Sequence, residues 1–220
     1  MREYWLLGLL LGCFHCQLVS AQAPATSSPG VAAVPVDHER HHRVVLQNAG
    51  IRVLEGLVLL NDTTPMHIHA ANSVVVFLSH SRFGIQLAGE PPVITEVKAG
   101  DMRYSAYGDH PVTHTVWDEG PEDFHFYVVE VAASLPECDT CAILTQPGLG
   151  FRWRKGGVTA YGWKIAPGEA FRLPASAFAW LLIDLTKNNT LDFCPPRHAL
   201  AVKGYEHGNA QFILLQLPVQ

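Results

Sequence analysis

The sequence predicts an all-β protein, a sandwich or jelly roll, on three observations. From Arg43 onward, short runs rich in Val, Ile, Phe, Tyr and Thr recur at close intervals, and such residues suit a pleated surface. Gly, Pro, Asn and Asp separate the runs, as in "LNDTTP", "AGEPP", "KAGD", "YGDHP" and "DEGPED", and they supply the dihedrals of tight turns. No stretch there keeps a helical period for ten residues. Many short strands joined by turns pack as a sandwich or close as a jelly roll.

The elements follow in order. "MREYWLLGLLLGCFHCQLVSAQA" sets Arg2 before an apolar segment from Trp5 to Phe14 and the small residues Ser20, Ala21 and Ala23. That is the pattern of a removable export signal over 1–23, and it predicts a secreted or periplasmic protein. The apolar segment is shorter than the roughly 20 residues of a spanning helix, so no membrane span is expected. "APATSSPGVAAVP" lacks periodicity and reads as a linker over 24–36.

"RVVLQ", "IRVLEGLVLL", "SVVVFLS", "RFGIQLA", "VITEVKAG", "THTVW" and "FHFYVVEV" then supply strands for a first unit over 37–134. "GFRWRKGG", "TAYGWKIA", "AFAWLLIDL", "HALAVKG" and "AQFILLQL" repeat the theme over 135–220. The halves can be overlaid. Pro111 to Gly120 lies over Pro195 to Gly204 without a gap, which sets His114 on His198. "PMHIHAANSVVVFL" lies over "EAFRLPASAFAWLL", which sets His67 and His69 on Phe171 and Leu173. One half keeps polar residues where the other carries packing material.

Composition narrows the function. A chain of 220 residues with 48% hydrophobic and 16% charged residues can bury a sizeable core. A net charge of −5 without a basic run argues against nucleic acid. No nucleophile elbow, phosphate loop or dinucleotide fingerprint stands in a strand-to-helix context. Without the signal the chain keeps Cys138, Cys141 and Cys194, an odd number whose pairing stays open. Asn61-Asp62-Thr63 and Asn188-Asn189-Thr190 fit the glycosylation sequon, a short pattern that also arises by chance.

The histidines carry the chemistry. Alternation on a strand points His67 and His69 of "TPMHIHAANS" to one side and Ile68 to the other. His114 in "HPVTHTVWD" is the natural third ligand, and three imidazoles with open positions favour a reactive metal over a closed structural one. His38, His41 and His42 in "DHERHHR" read as a solvated entry strand, with one of them reaching the site as the alternative. His80, His110 and His125 read as loop or surface residues, with His110 a reserve ligand, and His198 as a structural histidine. Trp153, Trp163, Trp180, Phe171 and Phe178 read as core.

The segment from Arg40 to Val131 resembles the cupins, small β-barrels whose first motif is roughly G-x5-H-x-H-x3,4-E-x6-G and whose second is roughly G-x5-P-x-G-x2-H-x3-N. His67 and His69 match the paired histidines, Gly100-Asp101 opens the second motif, Gly108 sits in its turn and His114 matches its histidine. Asp118 falls where the family has Asn and is expected to orient either His114 or a turn. The family glutamate is missing: Ser73 or Val74 stands in its place, and Asn72 one position earlier is a weak oxygen donor. Ala106 and Tyr107 occupy the neighbourhood of the absent proline. With the internal repeat, the whole resembles a bicupin with a degenerate second barrel.

The resemblance implies one divalent metal on His67, His69 and His114 in the first barrel. Three neutral imidazoles leave its charge uncompensated, which favours an anionic, chelating substrate. The similarity to three-histidine cupin dioxygenases implies Fe(II) and O2-dependent oxidation of a small chelating acid; Mn, Ni, Zn and Cu also suit the residues. A non-catalytic cupin that binds a small ligand or metal, and a metal-assisted isomerase or lyase, are the alternatives. A homodimer stays open.

Overall fold

The computed structural model describes residues 33–131 and 142–217. The proposed signal, most of the linker, and Cys138 and Cys141 lie outside the described residues, while Cys194 is a buried free thiol. No described helix is long and apolar enough to cross a membrane. The first half contains β1 (Val34–Pro35), β2 (His42–Gln47), β3 (Ile51–Val58), β4 (His67–His69), β5 (Asn72–Phe77), β6 (Ser81–Leu87), β7 (Val93–Val97), β8 (Met102–Ala106), β9 (Val112–Pro121) and β10 (Phe124–Val131). The second contains β11 (Leu149–Lys155), β12 (Val158–Ile165), β13 (Ala170–Leu173), β14 (Ala179–Asp184), β15 (Thr190–Cys194), β16 (Leu200–Lys203) and β17 (Ala210–Leu217).

In the first half, sheet β1-β4-β9-β6-β7 faces sheet β2-β3-β10-β5-β8. Leu54, Phe77, Phe124, Phe126 and Val128 from one meet Phe83, Val97 and Val116 from the other. The opposite face of the second sheet packs on the second half: Val53, Val74, Val76, Val129 and Val131 meet Ala160, Leu181, Ile183, Ile213 and Leu215. Strands β5 and β10 are therefore covered on both faces, which explains the near-continuous apolar runs "VVVF" and "FYVV".

The two halves share one strand order, because β2-β3-β10-β5-β8 is matched by β11-β12-β17-β14-β15. Their ladders agree in register as well. His42 pairs with Gly56 and a bulge follows between Val44 and Leu46; Leu149 pairs with Trp163 and a bulge follows between Phe151 and Trp153. This is the two-barrel cupin architecture, but one correction to the overlay follows. His67 pairs with His114 whereas Phe171 pairs with Val202, so the counterpart of His114 is Val202 and not His198.

Three strands are not marked by the sequence pattern. Val34 and Pro35, the end of the segment read as a linker, pair in parallel with His67 and Ile68, and Val36 is buried. Strand β8, "MRYSA", turns Met102 and Tyr104 toward the second half and Arg103 and Ser105 into its own barrel. Polar residues point inward there, the reverse of the usual alternation. In β15, Leu191 and Phe193 face the core between the halves, and turn-type residues on either side mask the strand.

Candidate metal centre

Strand β4 brings His67 and His69 to the inner face of the first barrel, and antiparallel β9 sets His114 directly opposite His67. All three are buried. Ring centroids lie 5.1 Å apart for His67 and His69, 4.6 Å for His67 and His114, and 5.0 Å for His69 and His114. The three histidines singled out in the sequence thus meet.

A fourth joins them. His42, at the start of β2, lies with its ring 4.9 Å from His67 and 5.6 Å from His69. His42, His67 and His69 each offer a nitrogen within 4.8 Å of the others, close enough to hold one metal ion. The expectation that "DHERHH" is a solvated strand is corrected: His38 is exposed, but His41 and His42 are buried. Gly56 opposite His42 is the local reason. A Cβ there would stand 2.2 Å from the Phe126 ring, so only glycine leaves room for that ring, which His42 meets at 5.5 Å.

Hydrogen bonds aim the rings. His67 Nδ1 donates to the Pro65 carbonyl at 2.9 Å, so in its neutral form Nε2 carries the lone pair. His42 Nδ1 bonds Glu39 Oε2 at 2.7 Å, which leaves its Nε2 free. Glu39 Oε1 accepts from the His41 backbone N–H at 3.0 Å and meets His41 Nδ1 at 2.5 Å; His41 Nε2 reaches Asp62 Oδ2 at 3.0 Å. Ligating histidines ordinarily have such a carboxylate behind them.

His114 tests the fit of a metal. Its Nε2 lies 3.0 Å from His67 Nε2, and its buried Nδ1 has no partner. With its proton on Nε2, His114 donates to the His67 lone pair; with the proton on Nδ1, both Nε2 lone pairs face one point, which would suit a cation. Neither nitrogen of His69 has a hydrogen-bond partner among the described residues. The donor set fits a divalent ion.

Burial excludes positive charge from these rings: it lowers His67 to about 4, His69 to about 2 and His114 to about 3, with neighbouring histidines adding to the effect. At neutral pH they are neutral and ligand-ready. For Glu39 burial alone would raise the carboxyl, but bonds from His42 and His41 outweigh it and hold it at about 2. A carboxylate charge is therefore held one residue removed from the cluster, behind His42.

The other candidates resolve differently. Asp118 Oδ1 accepts from Ser81 Oγ at 2.6 Å and from the Gly120 N–H at 3.0 Å, so it serves the turn rather than His114. Asn72 Oδ1 accepts from the Gly108 N–H at 2.8 Å, also a turn contact. Ser73 does face the site's cavity, and its buried hydroxyl is unpartnered. His110 is exposed. His80 pairs with Glu96 and His125 with Glu55, both at 3.0 Å, while exposed His198 bonds the Pro196 carbonyl.

The cluster opens onto a cavity of about 110 Å³ inside the barrel, floored by Phe77, Phe83, Phe124 and Phe126 and walled on the β8 side by Arg103, Ser105 and Tyr107. Phe83 and Phe124 stack with centroids 4.1 Å apart.

No protein-family model and no curated protein sequence matches the chain. Solved structures match its fold. AerE from Microcystis aeruginosa aligns with a TM-score of 0.52 at 12% identity, over 81% of this chain and 97% of its own. The bacterial pirin YhhW from Escherichia coli, in complex with nickel(II), aligns with a TM-score of 0.52 at 13% identity, over 81% and 91%. A variant of the salicylate 1,2-dioxygenase from Pseudoaminobacter salicylatoxidans aligns with a TM-score of 0.50 at 10% identity, over 76% and 71%.

Proposed function

The chain has the cupin fold, and on that premise we propose that it is an exported enzyme that binds one divalent metal through His67, His69 and His114 and oxidises a small chelating acid with O2. The observation that supports this reading is the gathering of buried imidazoles, with His42, His67 and His69 offering nitrogens within 4.8 Å of one another and His114 Nε2 3.0 Å from that of His67, at the end of an apolar cavity that no carboxylate lines. Fe(II) is the ion favoured, and a nickel-bound pirin and a dioxygenase among the structural neighbours support a metal of this type.

When bound, the ion supplies a Lewis-acidic, redox-capable centre for an organic acid and oxygen. The protein's part is positional. The Pro65 carbonyl holds the His67 ring, and Glu39 holds His42 beside the ligands. His42, whose nitrogen lies within 4.8 Å of those of His67 and His69, would offer a further imidazole to the ion, with the Glu39 carboxylate behind it. The phenylalanine floor keeps water from the acid's apolar part.

The full chain, loaded anaerobically with Fe(II), is expected to hold one ion and to consume O2 with a thiol, a diketone or a hydroxylated aromatic acid. Conversion without oxygen uptake would remove the dioxygenase reading and favour an isomerase or lyase. Unchanged metal content in both His67→Ala and His114→Ala would sink the site.

A further inference from the structure

We propose that Arg103 makes this cavity a receptor for small monocarboxylates with a planar apolar body, which enter carboxylate-side toward Arg103 and lay that body on the phenylalanine floor. Arg103 is an inward-facing charge on a barrel strand, since its neighbours Met102 and Tyr104 pack on the opposite face. Its side chain lines the cavity while its end remains exposed at the cavity's mouth. No carboxylate lies within ion-pair distance of Arg103 among the described residues, and none lines the cavity. Its guanidinium carbon stands 5.5 Å from the centre of the Phe77 ring, a contact that leaves the N–H fork free for a planar anion.

A second observation also points to a ligand. Ser73 Oγ, in a residue only 1% exposed, lines the same cavity without a hydrogen-bond partner. Buried hydroxyls are ordinarily satisfied. Ser73 pairs across the sheet with Ser105, and Val75 with Arg103, so the hydroxyls and the guanidinium form a polar wall along β5 and β8 opposite the aromatic residues. The free volume of about 110 Å³ is below the roughly 150 Å³ of an enclosed apolar cavity that admits benzene, so it takes at most one ring, with the carboxylate left at the open end. Exposure of Arg103 leaves its end of the cavity open to solvent.

The inference deepens the proposed function and rests on this cavity's being the substrate's place, but its test needs neither metal nor oxygen. Titrate the full chain, after dialysis against EDTA, with benzoate and with its uncharged isostere benzamide, by calorimetry. Benzoate is expected to bind about ten- to a hundredfold tighter than benzamide, as a charge-assisted fork requires. Arg103→Met should abolish that preference while leaving benzamide binding within about twofold, and Arg103→Lys should retain part of it. Equal binding of the two probes, no binding of either, or an unchanged preference in a Met variant that melts like the parent would each overturn the proposal. A chain that prefers benzoate but does not bind Fe(II) would leave this subsite standing and remove the metal reading; the converse would do the opposite.

Discussion

The two barrels are one architecture put to two uses, and the differences lie at a few inward-facing positions. Aligned by ladder register, His42, His67, His69 and His114 of the first barrel correspond to Leu149, Phe171, Leu173 and Val202 of the second. Two small residues that leave the first barrel open, Gly56 and Ser73, correspond to Trp163 and Trp180, which are 0% and 1% exposed. Arg103 corresponds to Asp192 and Ser105 to Cys194. A cupin-type barrel thus stays hollow and polar only where small and ligating residues keep it so; with two tryptophans inside, it becomes a packed core that buttresses its twin.

Making the first barrel like the second should break the site most completely. In the His67→Phe, His69→Leu, His114→Val variant the chain should fold and its metal content, by elemental analysis, should drop from one ion to background. Hollowing the second barrel is next. Trp180→Ala should cost about 3–5 kcal/mol in denaturant unfolding, the usual loss for a large buried aromatic, whereas Ser73→Ala removes an orphaned hydroxyl.

Glu39→Gln keeps the shape behind His42 but removes the charge. A metal-affinity loss of about ten- to a hundredfold in competitive chelator titrations is expected, as for other partners of ligating histidines. An unchanged affinity would assign Glu39 to the fold alone.

The pH dependence also separates the barrels. His67, His69 and His114 have folded-state pKa values below 6.5, so below that pH the unfolded chain binds more protons and stability falls as the pH drops toward 4. Glu39, held at about 2, adds stability that is present above 4.5 and lost as the pH falls below it. The melting temperature of the metal-free chain should drop by about 5–10 °C between pH 7 and pH 5, and the triple variant should drop less. Equal slopes would show that the histidines do not govern acid stability. The smallest effect is that of Ser73→Ala, neutral or stabilising by about 1 kcal/mol.

Much of the site was legible. His67, His69 and His114 stood out because period-2 alternation puts an H-x-H pair on one face and "HPVTHTVWD" follows the strand rule. His42 was not legible, because alternation does not say which histidine of "ERHH" turns inward. The pairing with Gly56 and the anchorage on Glu39 decide that, and Glu39 three residues before His42 was the one local hint. Strand β8 was hidden for a related reason: its inward residues are polar because they line a cavity, which inverts the expected pattern. The repeat was visible, but a gapless overlay could not see that β16 pairs in a register placing Val202, not His198, opposite Phe171.

The sequence by itself determined the all-β class and the doubled architecture, and it pointed to three histidines that the fold brings near one another, since these follow from side-chain periodicity and turn chemistry, which are local. Only the tertiary structure decided that His42 joins the cluster, that Glu39 stands behind it, and that Arg103 lines the mouth of a cavity. Each of those depends on which strand lies beside which, and in what register; a shift of one residue would turn every one of these side chains to the opposite face.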